Sequence, residues 1–465
     1  MLFSGIPFLY YFLPVVLILY FIAPQKLKNT VLLISSLVFY GWGEPKYVVL
    51  MVASIIIGYV SGLLIEAKNN KRDKKIILFI SVFINLGFLA YFKYADFFIE
   101  NFNSLTGIGI PLLRIALPIG ISFYTFQILS YSIDVYRGIP AQKNPINLAA
   151  YITMFPQLIA GPIVRYTDIS NELVERKHTF EGFSVGMRRF ILGLSKKVLV
   201  ANILGELCDT FRASDDKAVL YYWLYAVAFA LHVYFDFSGY SDMAIGLGKI
   251  FGFKFCENFN YPFIAKSATE FWRRWHMSLG TWFRDYVYIP MGGNRVSRAR
   301  WFFNIFTVWM LTGFWHGAAW TFIIWGLYFA IFLCIEKLFL LKLLEKTKVL
   351  NRIYILFIIT TSFVIFNATD MGEAFEYIKC MFGFGNVPLV SQEYIYYLKS
   401  YAVPMVIALV GATPVVKSVV NKITEKKPVK AAMVVVEPVV LVALFVVVTA
   451  FLVDGSFNPF LYFRF

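Results

Sequence analysis

One uncharged stretch, residues 301–335, most constrains how this chain can fold. It contains no Asp, Glu, Lys or Arg and a single histidine, His316. A bilayer core takes about 20 apolar helical residues, so the stretch is too long for one straight span and too short for two full ones. We therefore predict a broken or re-entrant element. We expect the break at Thr312, Gly313 and Gly317, because glycine permits close backbone approach and non-helical φ values.

His316 lies at this predicted break. An ionisable side chain at membrane depth is costly unless it lines a polar cavity, so the position favours a functional role. The alternative is a packing histidine whose ring nitrogens bond to neighbouring carbonyl groups.

The composition places the whole chain in a membrane. Of its 465 residues, 59% are hydrophobic and only 15% are charged, and the mean hydropathy is +0.67. These values exclude a soluble globular protein and predict an all-α polytopic membrane protein. The formal charge of +15 comes from Lys and Arg clustered in short loops, which is typical of topology signals rather than of nucleic-acid binding. We expect membrane lipids as partners and no nucleic acid.

The apolar runs and basic loops predict the topology. Basic segments 24–29, 66–75 and 417–430 are expected on the cytoplasmic side, which places both termini outside. We predict about eleven or twelve spans in a single membrane domain, 1–465, with no cleaved signal peptide. The charged segment 168–189 is predicted to be interfacial or cytoplasmic, with His178 a solvated surface residue. The main apolar runs are 6–23, 30–40, 47–65, 76–92, 115–137, 190–207, 219–250, 301–335, 353–366, 401–416 and 431–453.

Several polar side chains fall inside these apolar runs and indicate a watered interior. The run 219–250 contains His232 and Asp236, which are four residues apart and share a helical face. A His and Asp pair that only pins neighbouring helices is an equally good interpretation. The candidates for lining a tunnel or binding substrate are Gln127, Asp236, Ser238, Asp242 and Trp315.

The segment 267–289 is predicted to form one helix that lies along the membrane interface or rims a cavity. Ser267 and Glu270 form a capping-box pattern at its start. Arg273 and Arg274 could hold an anionic group such as a phosphate, or they could bind lipid headgroups. His276 lies on the same segment, and a neutral imidazole is a suitable general base near pH 7. The four cysteines are scattered and no histidine pair has metal-ligand spacing, so no metal is predicted.

Two motifs make a family resemblance recognisable, FWRRWHMSLGTWFRDYVYIPMGGNR and LTGFWHGAAWTFIIWGLYF. The sequence resembles the membrane-bound O-acyltransferase (MBOAT) superfamily, in its bacterial alginate O-acetyltransferase branch. The likeness extends over nearly the whole chain, through MLFSGIPFLYYFLPVVLILYF, YGWGEP, ALPIGISFYTFQILSYSIDVYRG, MFPQLIAGPIVRY, YFDFSGYSDMAIGLGKIFGF and FNPFLYFRF.

The resemblance implies a fold, a reaction and a set of site residues. The implied fold is a ring of tilted transmembrane helices around a central funnel, with re-entrant and interfacial helices. His316 corresponds to the family's catalytic histidine and His276 to its second histidine. The C-terminal pattern of Phe460, Tyr462 and Phe465 matches a motif whose tyrosine is proposed to carry the acyl group, although Tyr462 could equally be an interfacial anchor.

The implied activity is acyl transfer in the bacterial cell membrane. An acetyl group passes from a cytoplasmic thioester, most simply acetyl-CoA, to a polysaccharide hydroxyl outside the cell through an SGNH hydrolase-like extracytoplasmic acetyltransferase. No permanently bound cofactor is expected. One alternative is a teichoic-acid D-alanyltransferase that uses a carrier-protein donor. An alternative from another class is a transporter or channel, because broken polar helices also mark substrate pathways, although no inverted repeat is visible.

Overall fold

The computed structural model describes residues 1–455, and these residues form helices without any β-strand. The predicted all-α class is therefore confirmed. In chain order the α-helices are α1 Leu13–Ile22, α2 Lys28–Gly43, α3 Val48–Ala67, α4 Lys71–Leu89, α5 Ala95–Thr106, α6 Ile121–Tyr136, α7 Pro145–Thr153, α8 Phe155–Leu158, α9 Tyr166–Val174, α10 Phe180–Ser195, α11 Asn202–Ala213, α12 Val219–Ile250, α13 Ala268–Trp272, α14 Met277–Phe283, α15 Arg298–His316, α16 Trp320–Ile335, α17 Leu341–Leu344, α18 Leu350–Asn367, α19 Met371–Met381, α20 Gln392–Ser400, α21 Ala402–Gly411, α22 Val415–Thr424 and α23 Lys427–Asp454.

Short segments of wider or tighter helix join several of these elements. The π-helical segments are Pro7–Phe12, Ala90–Tyr94, Lys196–Ala201, Arg284–Tyr288 and Glu336–Leu340. The 3₁₀ segments are Gln25–Leu27, Pro45–Tyr47 and Pro262–Ile264. π-Helical turns are uncommon and occur often at functional sites, and two of them carry charged residues of the candidate site described below.

The chain divides into two compact units. The first comprises Met1–Phe190 and Met243–Cys256, and the second comprises Ile191–Asp242 and the described residues from Glu257 onward. The predicted single membrane domain, 1–465, stays a prediction.

Fewer helices than expected meet a simple length and hydropathy test for a membrane span. Within residues 1–455, six helical stretches pass it, or seven if the bent pair α20 and α21 is one span. The prediction of eleven or twelve spans exceeds this number. One reason is that elements such as α6, with 16 residues and many buried Ser, Thr, Tyr and Gln side chains, are too short and too polar to pass this test.

In the first unit, His178 differs from its prediction as a solvated surface residue. It is half-buried, and its Nε2 lies 2.8 Å from the hydroxyl of Tyr20. Arg176 donates from Nε to the same hydroxyl and to the carbonyl of Phe251. Burial and the neighbouring cations Lys28 and Arg176 hold the pKa of His178 below its usual value. Proximity in space, which sequence polarity does not report, explains the difference.

The helix α12, whose residues up to Asp242 lie in the second unit, coincides with the apolar run 219–250 predicted from the sequence. Its buried face joins a large apolar core with α11, α16 and α18. The segment after α21 was predicted as a loop and is instead the helix α22. It alternates exposed valines with lysines at helical spacing, a pattern suited to a helix at the membrane surface.

Candidate active site

The uncharged stretch 301–335 folds into two helices joined by a short break, as predicted. α15 ends at His316, Gly317 and Ala319 are extended, and α16 begins at Trp320. The break falls at Gly317 but not at Thr312 or Gly313, which lie inside α15. Thr312 lies within the helix, and its hydroxyl donates to the carbonyl of Val308 at 2.8 Å, one turn earlier, so this polar group is satisfied without a break in the chain.

Gly313 has a different role, which is to let the two helices of the hairpin touch. A Cβ atom at Gly313 would overlap the carbonyl oxygen of Phe322 and lie 3.3 Å from the Cα of Gly326. A Cβ atom at Gly326 would likewise overlap the carbonyl oxygen of Trp309. These two glycines therefore set the spacing of α15 and α16 and, with it, the position of His316 at the tip of α15.

His316 is buried, with 7% of its surface exposed. Its ring packs edge-to-face on Trp325 and Phe366, at centroid distances of 5.2 and 5.4 Å. Trp315 packs on it from the preceding position at 5.0 Å. The imidazole is thus held in an aromatic cage, which fixes its plane and limits its contact with water.

The predicted helix 267–289 is broken at His276, which corrects the sequence interpretation. α13 ends at Trp272, His276 has φ of +44° in the left-handed region, and α14 starts at Met277. A non-glycine residue with this φ is uncommon and often marks a functional or strained position. One continuous helix would carry the apolar residues of this segment as a single stripe. Most of them are buried, but they are distributed over two short helices and the turn between them.

Asn258 provides the physical reason for this break. Its backbone carbonyl accepts the N–H of Met277 at 3.0 Å, and its side-chain Oδ1 accepts the N–H of Ser278 at 3.2 Å. These bonds satisfy donors at the start of α14 that would otherwise continue the preceding helix. The side chain of Asn258 is fully buried and also lies 3.1 Å, through Oδ1, from Nδ1 of His276.

The two histidines share one aromatic neighbour. Trp315 contacts the ring of His276 at a centroid distance of 6.0 Å and the ring of His316 at 5.0 Å. Phe237 of α12 covers the other side of His276 at 4.7 Å, edge to face. The structure therefore brings His276, Trp315 and His316 into one cluster.

His276 is 2% exposed, and burial lowers its pKa to about 3. The ring is therefore neutral at physiological pH. Its Nε2 atom is buried and has no hydrogen-bond partner within the described residues. A neutral imidazole with an open lone pair can accept a hydrogen bond or a proton.

The two aspartates of α12 form ion pairs with consecutive lysines of the π-helical segment Lys196–Ala201. Asp236 pairs with Lys197 at 2.5 Å, and Asp242 pairs with Lys196 at 2.6 Å. The side chains of Lys197 and Asp236 are 0% and 3% exposed. His232 reaches the same segment, since its Nδ1 lies 2.6 Å from the carbonyl of Ala201. These contacts favour the helix-pinning interpretation for His232 and Asp236, and their roles in substrate binding stay predictions.

Ser238 and Gln127 are both buried, at 2% exposure. The Oγ of Ser238 and the Oε1 of Gln127 lack a hydrogen-bond partner among the described residues. Ser238 lies on α12 in the second unit, whereas Gln127 lies on α6 in the first. Buried polar atoms are normally satisfied, so both positions suit contact with a polar ligand or water.

The two predicted anion-binding arginines differ in their surroundings. Arg273 is exposed. Arg274 forms an ion pair with Glu270 at 2.8 Å and donates to the carbonyl of Asn260. One continuous helix over 267–289 would align Arg274 with Asp285, and this expectation is wrong because the helix breaks at His276. Asp285 pairs instead with its neighbour Arg284. Phosphate binding by Arg273 and Arg274 stays a prediction.

Glu336, the first charged residue after the uncharged stretch, caps the start of α13. Its carboxylate accepts the backbone N–H groups of Ala268 and Thr269 at 2.5 and 2.9 Å, the Thr269 hydroxyl and the hydroxyl of Tyr354. The predicted capping box is present in part, since Ser267 accepts from Glu270 N while Glu270 turns to Lys266 N. Glu336 therefore connects the helix that leads toward His276 to the end of α16.

Sequence reasoning missed Lys196, Lys197, Asn258 and Glu336. The signal for the lysines was present, since they interrupt the apolar run 190–207. The predicted acyl carrier Tyr462 lies outside the described residues. Within those residues no cluster of three or more His, Cys, Asp or Glu side chains is arranged to hold a metal ion.

The helical architecture and the paired buried histidines are those of a membrane-embedded acyl-transfer enzyme, and comparison with known proteins establishes the family. The model of the MBOAT, membrane-bound O-acyltransferase family, matches residues 121–372. The chain belongs to this family and is a multi-pass membrane O-acyltransferase. Both histidines lie in the matched region.

Individual relatives have three different activities. The chain is 42% identical to a probable alginate O-acetylase AlgI of Azotobacter vinelandii, over 83% of this chain and 79% of that protein. It is 33% identical to a peptidoglycan O-acetyltransferase of Helicobacter pylori, over 84% and 81%. It is 32% identical to a teichoic acid D-alanyltransferase of Bacillus subtilis, over 48% and 59%.

Proposed function

We propose that this O-acyltransferase moves an acetyl group from a cytoplasmic thioester donor, acetyl-CoA, to a hydroxyl destined for O-acetylation of a cell-surface polysaccharide of the alginate type. The observation that carries the proposal is the cluster of His276, Trp315 and His316 at two helix breaks. The two imidazoles lie at buried helix ends on either side of one indole. There they can accept and return a proton while an ester forms.

The reaction assigns His316 the role of general base. The hydroxyl oxygen attacks the thioester carbonyl carbon while His316 takes the hydroxyl proton. The carbon–sulfur bond then breaks, the carbon–oxygen bond remains, and the departing thiolate receives the proton from His316. The aromatic cage of Trp325 and Phe366 supports this role, because a fixed ring keeps its reactive nitrogen in one place.

Two features support acetyl over D-alanyl transfer. The alginate O-acetylase match extends over 83% of the chain, and the D-alanyltransferase match over 48%. The peptidoglycan O-acetyltransferase, which matches over 84% of the chain, is also named for acetyl transfer. On these grounds we infer that acetyl-CoA is the donor. A requirement for an acyl carrier protein as donor would reverse this inference.

The product leaves the membrane on the outer side in this proposal. Both termini face outward in the topology inferred from the basic loops, which places Tyr462 on the side where an SGNH hydrolase-like acetyltransferase of the bacterial envelope would collect the acetyl group. Tyr462 is then the first acceptor hydroxyl, and the polysaccharide is the final one.

The test measures acetyl transfer in His316→Ala. Membranes from cells that express the protein are supplied with radiolabelled acetyl-CoA, and acetate bound to protein and to polysaccharide is counted. We expect His316→Ala to lose at least about 100-fold in rate, the lower range for removing a general base, with normal insertion. The matched control is His178→Gln, which keeps a polar atom near Tyr20 and should keep full activity.

Three results would contradict parts of the proposal. Normal acetylation by His316→Ala rejects the base. Activity only with an acyl carrier protein as donor rejects acetyl-CoA. Full activity in Tyr462→Phe rejects the carrier tyrosine but leaves direct transfer to the partner or polysaccharide.

A further inference from the structure

The side chain of Asn258 has only one chemically consistent orientation. Its amide is surrounded by Ser241, His276 and Ser278, and it is 0% exposed. The backbone N–H of Ser278, which can only donate, faces the atom assigned as Oδ1 at 3.2 Å. Reversing the amide would turn an NH₂ group onto this N–H, so the oxygen must occupy that position. The NH₂ group then donates to the hydroxyl of Ser241 at 3.0 Å.

This orientation determines where the proton of His276 resides. The same Oδ1 lies 3.1 Å from Nδ1 of His276, and an amide oxygen has no hydrogen to give. Nδ1 must therefore be the donor, and in a neutral ring the lone pair is left on Nε2. Nε2 is also the buried atom for which the described residues provide no partner.

We propose that Asn258 is a positioning residue that locks His276 in its Nδ1–H tautomer, so that the open Nε2 lone pair accepts a polar hydrogen of the bound substrate. The inference rests on the proposed function for the identity of the substrate, but the tautomer itself does not. Asn258 also supports the left-handed backbone conformation of His276, because it accepts hydrogen bonds from the start of α14 through both its backbone carbonyl and its side chain.

The electrostatic surroundings are consistent with a neutral ring. Burial alone lowers the pKa of His276, with no charged group contributing. The titratable neighbour across Trp315 is His316. On α12, which covers the ring through Phe237, the carboxylate of Asp236 is compensated by Lys197.

The decisive experiment is ¹⁵N NMR of the full-length protein labelled at histidine nitrogens and reconstituted in lipid nanodiscs at neutral pH. His276→Gln identifies the signals of His276 by difference. We expect the protonated nitrogen to be Nδ1, the ring nitrogen attached to Cγ, and the unprotonated nitrogen to be Nε2. A proton on Nε2, or on both nitrogens, would overturn the proposal.

Two variants of Asn258 test its role. Asn258→Leu removes both polar atoms at similar volume and should let the ring populate the other tautomer, with a fall in kcat of about 10- to 100-fold, as for other residues that orient a reacting group. Asn258→Asp keeps an acceptor for Nδ1–H and adds a negative charge, which raises the pKa of His276 by about 1–3 units. At alkaline pH the Asn258→Asp protein should retain the tautomer and most of the activity. On acidification it should lose activity at a higher pH than the wild-type protein does.

Asn304→Leu is the matched control. Asn304 is equally buried, and its amide donates only to the carbonyls of Met291 and Gly293. It should leave the histidine spectrum unchanged. An Asn258→Leu protein with unchanged His276 signals and unchanged kcat, or an Asn258→Asp protein with no shift in its acid limb, would overturn the positioning role. If the predicted tautomer is seen but no acetyl transfer is detected, the proposed function fails and the tautomer assignment stands.

Discussion

The buried pair of Lys197 and Asp236 predicts a large, non-additive effect on stability. Their side chains are 0% and 3% exposed and 2.5 Å apart. Lys197→Met leaves a buried carboxylate without its cation, for which we expect a loss of about 3–5 kcal/mol in unfolding free energy. Because both charges are desolvated in the folded protein, Lys197→Met combined with Asp236→Leu should recover most of that loss.

An exposed pair provides the comparison. Lys379 and Glu376 are 3.3 Å apart, but their side chains are 49% and 53% exposed. Water and mobile ions screen such a pair, so Lys379→Met should change stability by less than about 1 kcal/mol. The contrast separates the effect of burial from the effect of losing a lysine.

Unfolding free energies can be measured for all variants by titrating the detergent-solubilised protein with SDS and following circular dichroism. A Lys197→Met protein within about 1 kcal/mol of wild type would refute the reasoning. So would a double variant that loses the sum of both single effects. Acetyl transfer by the double variant, compared at equal amounts of folded protein, reports separately whether Asp236 also contacts substrate.

Two further predictions concern the hairpin and its neighbour. Gly313→Ala should force α15 away from α16 and destabilise the protein by about 1–3 kcal/mol, with a matching loss of acetyl transfer. The control is Gly87→Ala, because a methyl group added there meets nothing within 4 Å. Equal thermal shifts in the two variants would contradict the claim that Gly313 is needed for close approach of the helices. Acidification should also destabilise the protein through His276, because its pKa is about 3 when folded and about 6.5 when unfolded. This contribution is complete above pH 6.5 and is lost as pH falls, by about 2 kcal/mol at pH 5, and a His276→Gln protein with the same pH slope as wild type would contradict it.

The apolar runs made much of the fold predictable. α12 and the hairpin of α15 and α16 follow uninterrupted hydrophobic stretches, and Gly317 marks the break because nothing larger fits beside the ring of Phe322. Pattern reasoning also selected the two histidines that the structure places around Trp315. In these cases the information is local in the sequence.

The missing parts depend on contacts that are distant along the chain. The break at His276 is produced by Asn258, eighteen positions earlier, and a helical apolar pattern continues through it without a visible signal. The partner of Asp236 is on a separate helical segment. Nothing in the local pattern shows that the charge of Lys197 is neutralised inside the protein.

A substitution of Glu336 should inactivate the enzyme although this residue does not contact His276 or His316. Its carboxylate, 1% exposed, holds the first turn of α13, and that turn leads through a sharp bend to His276. Random mutagenesis with selection for loss of acetylation should therefore return alleles at codon 336. Such alleles would look like active-site lesions in a phenotype screen, although the side chain they alter is enclosed by protein on every side.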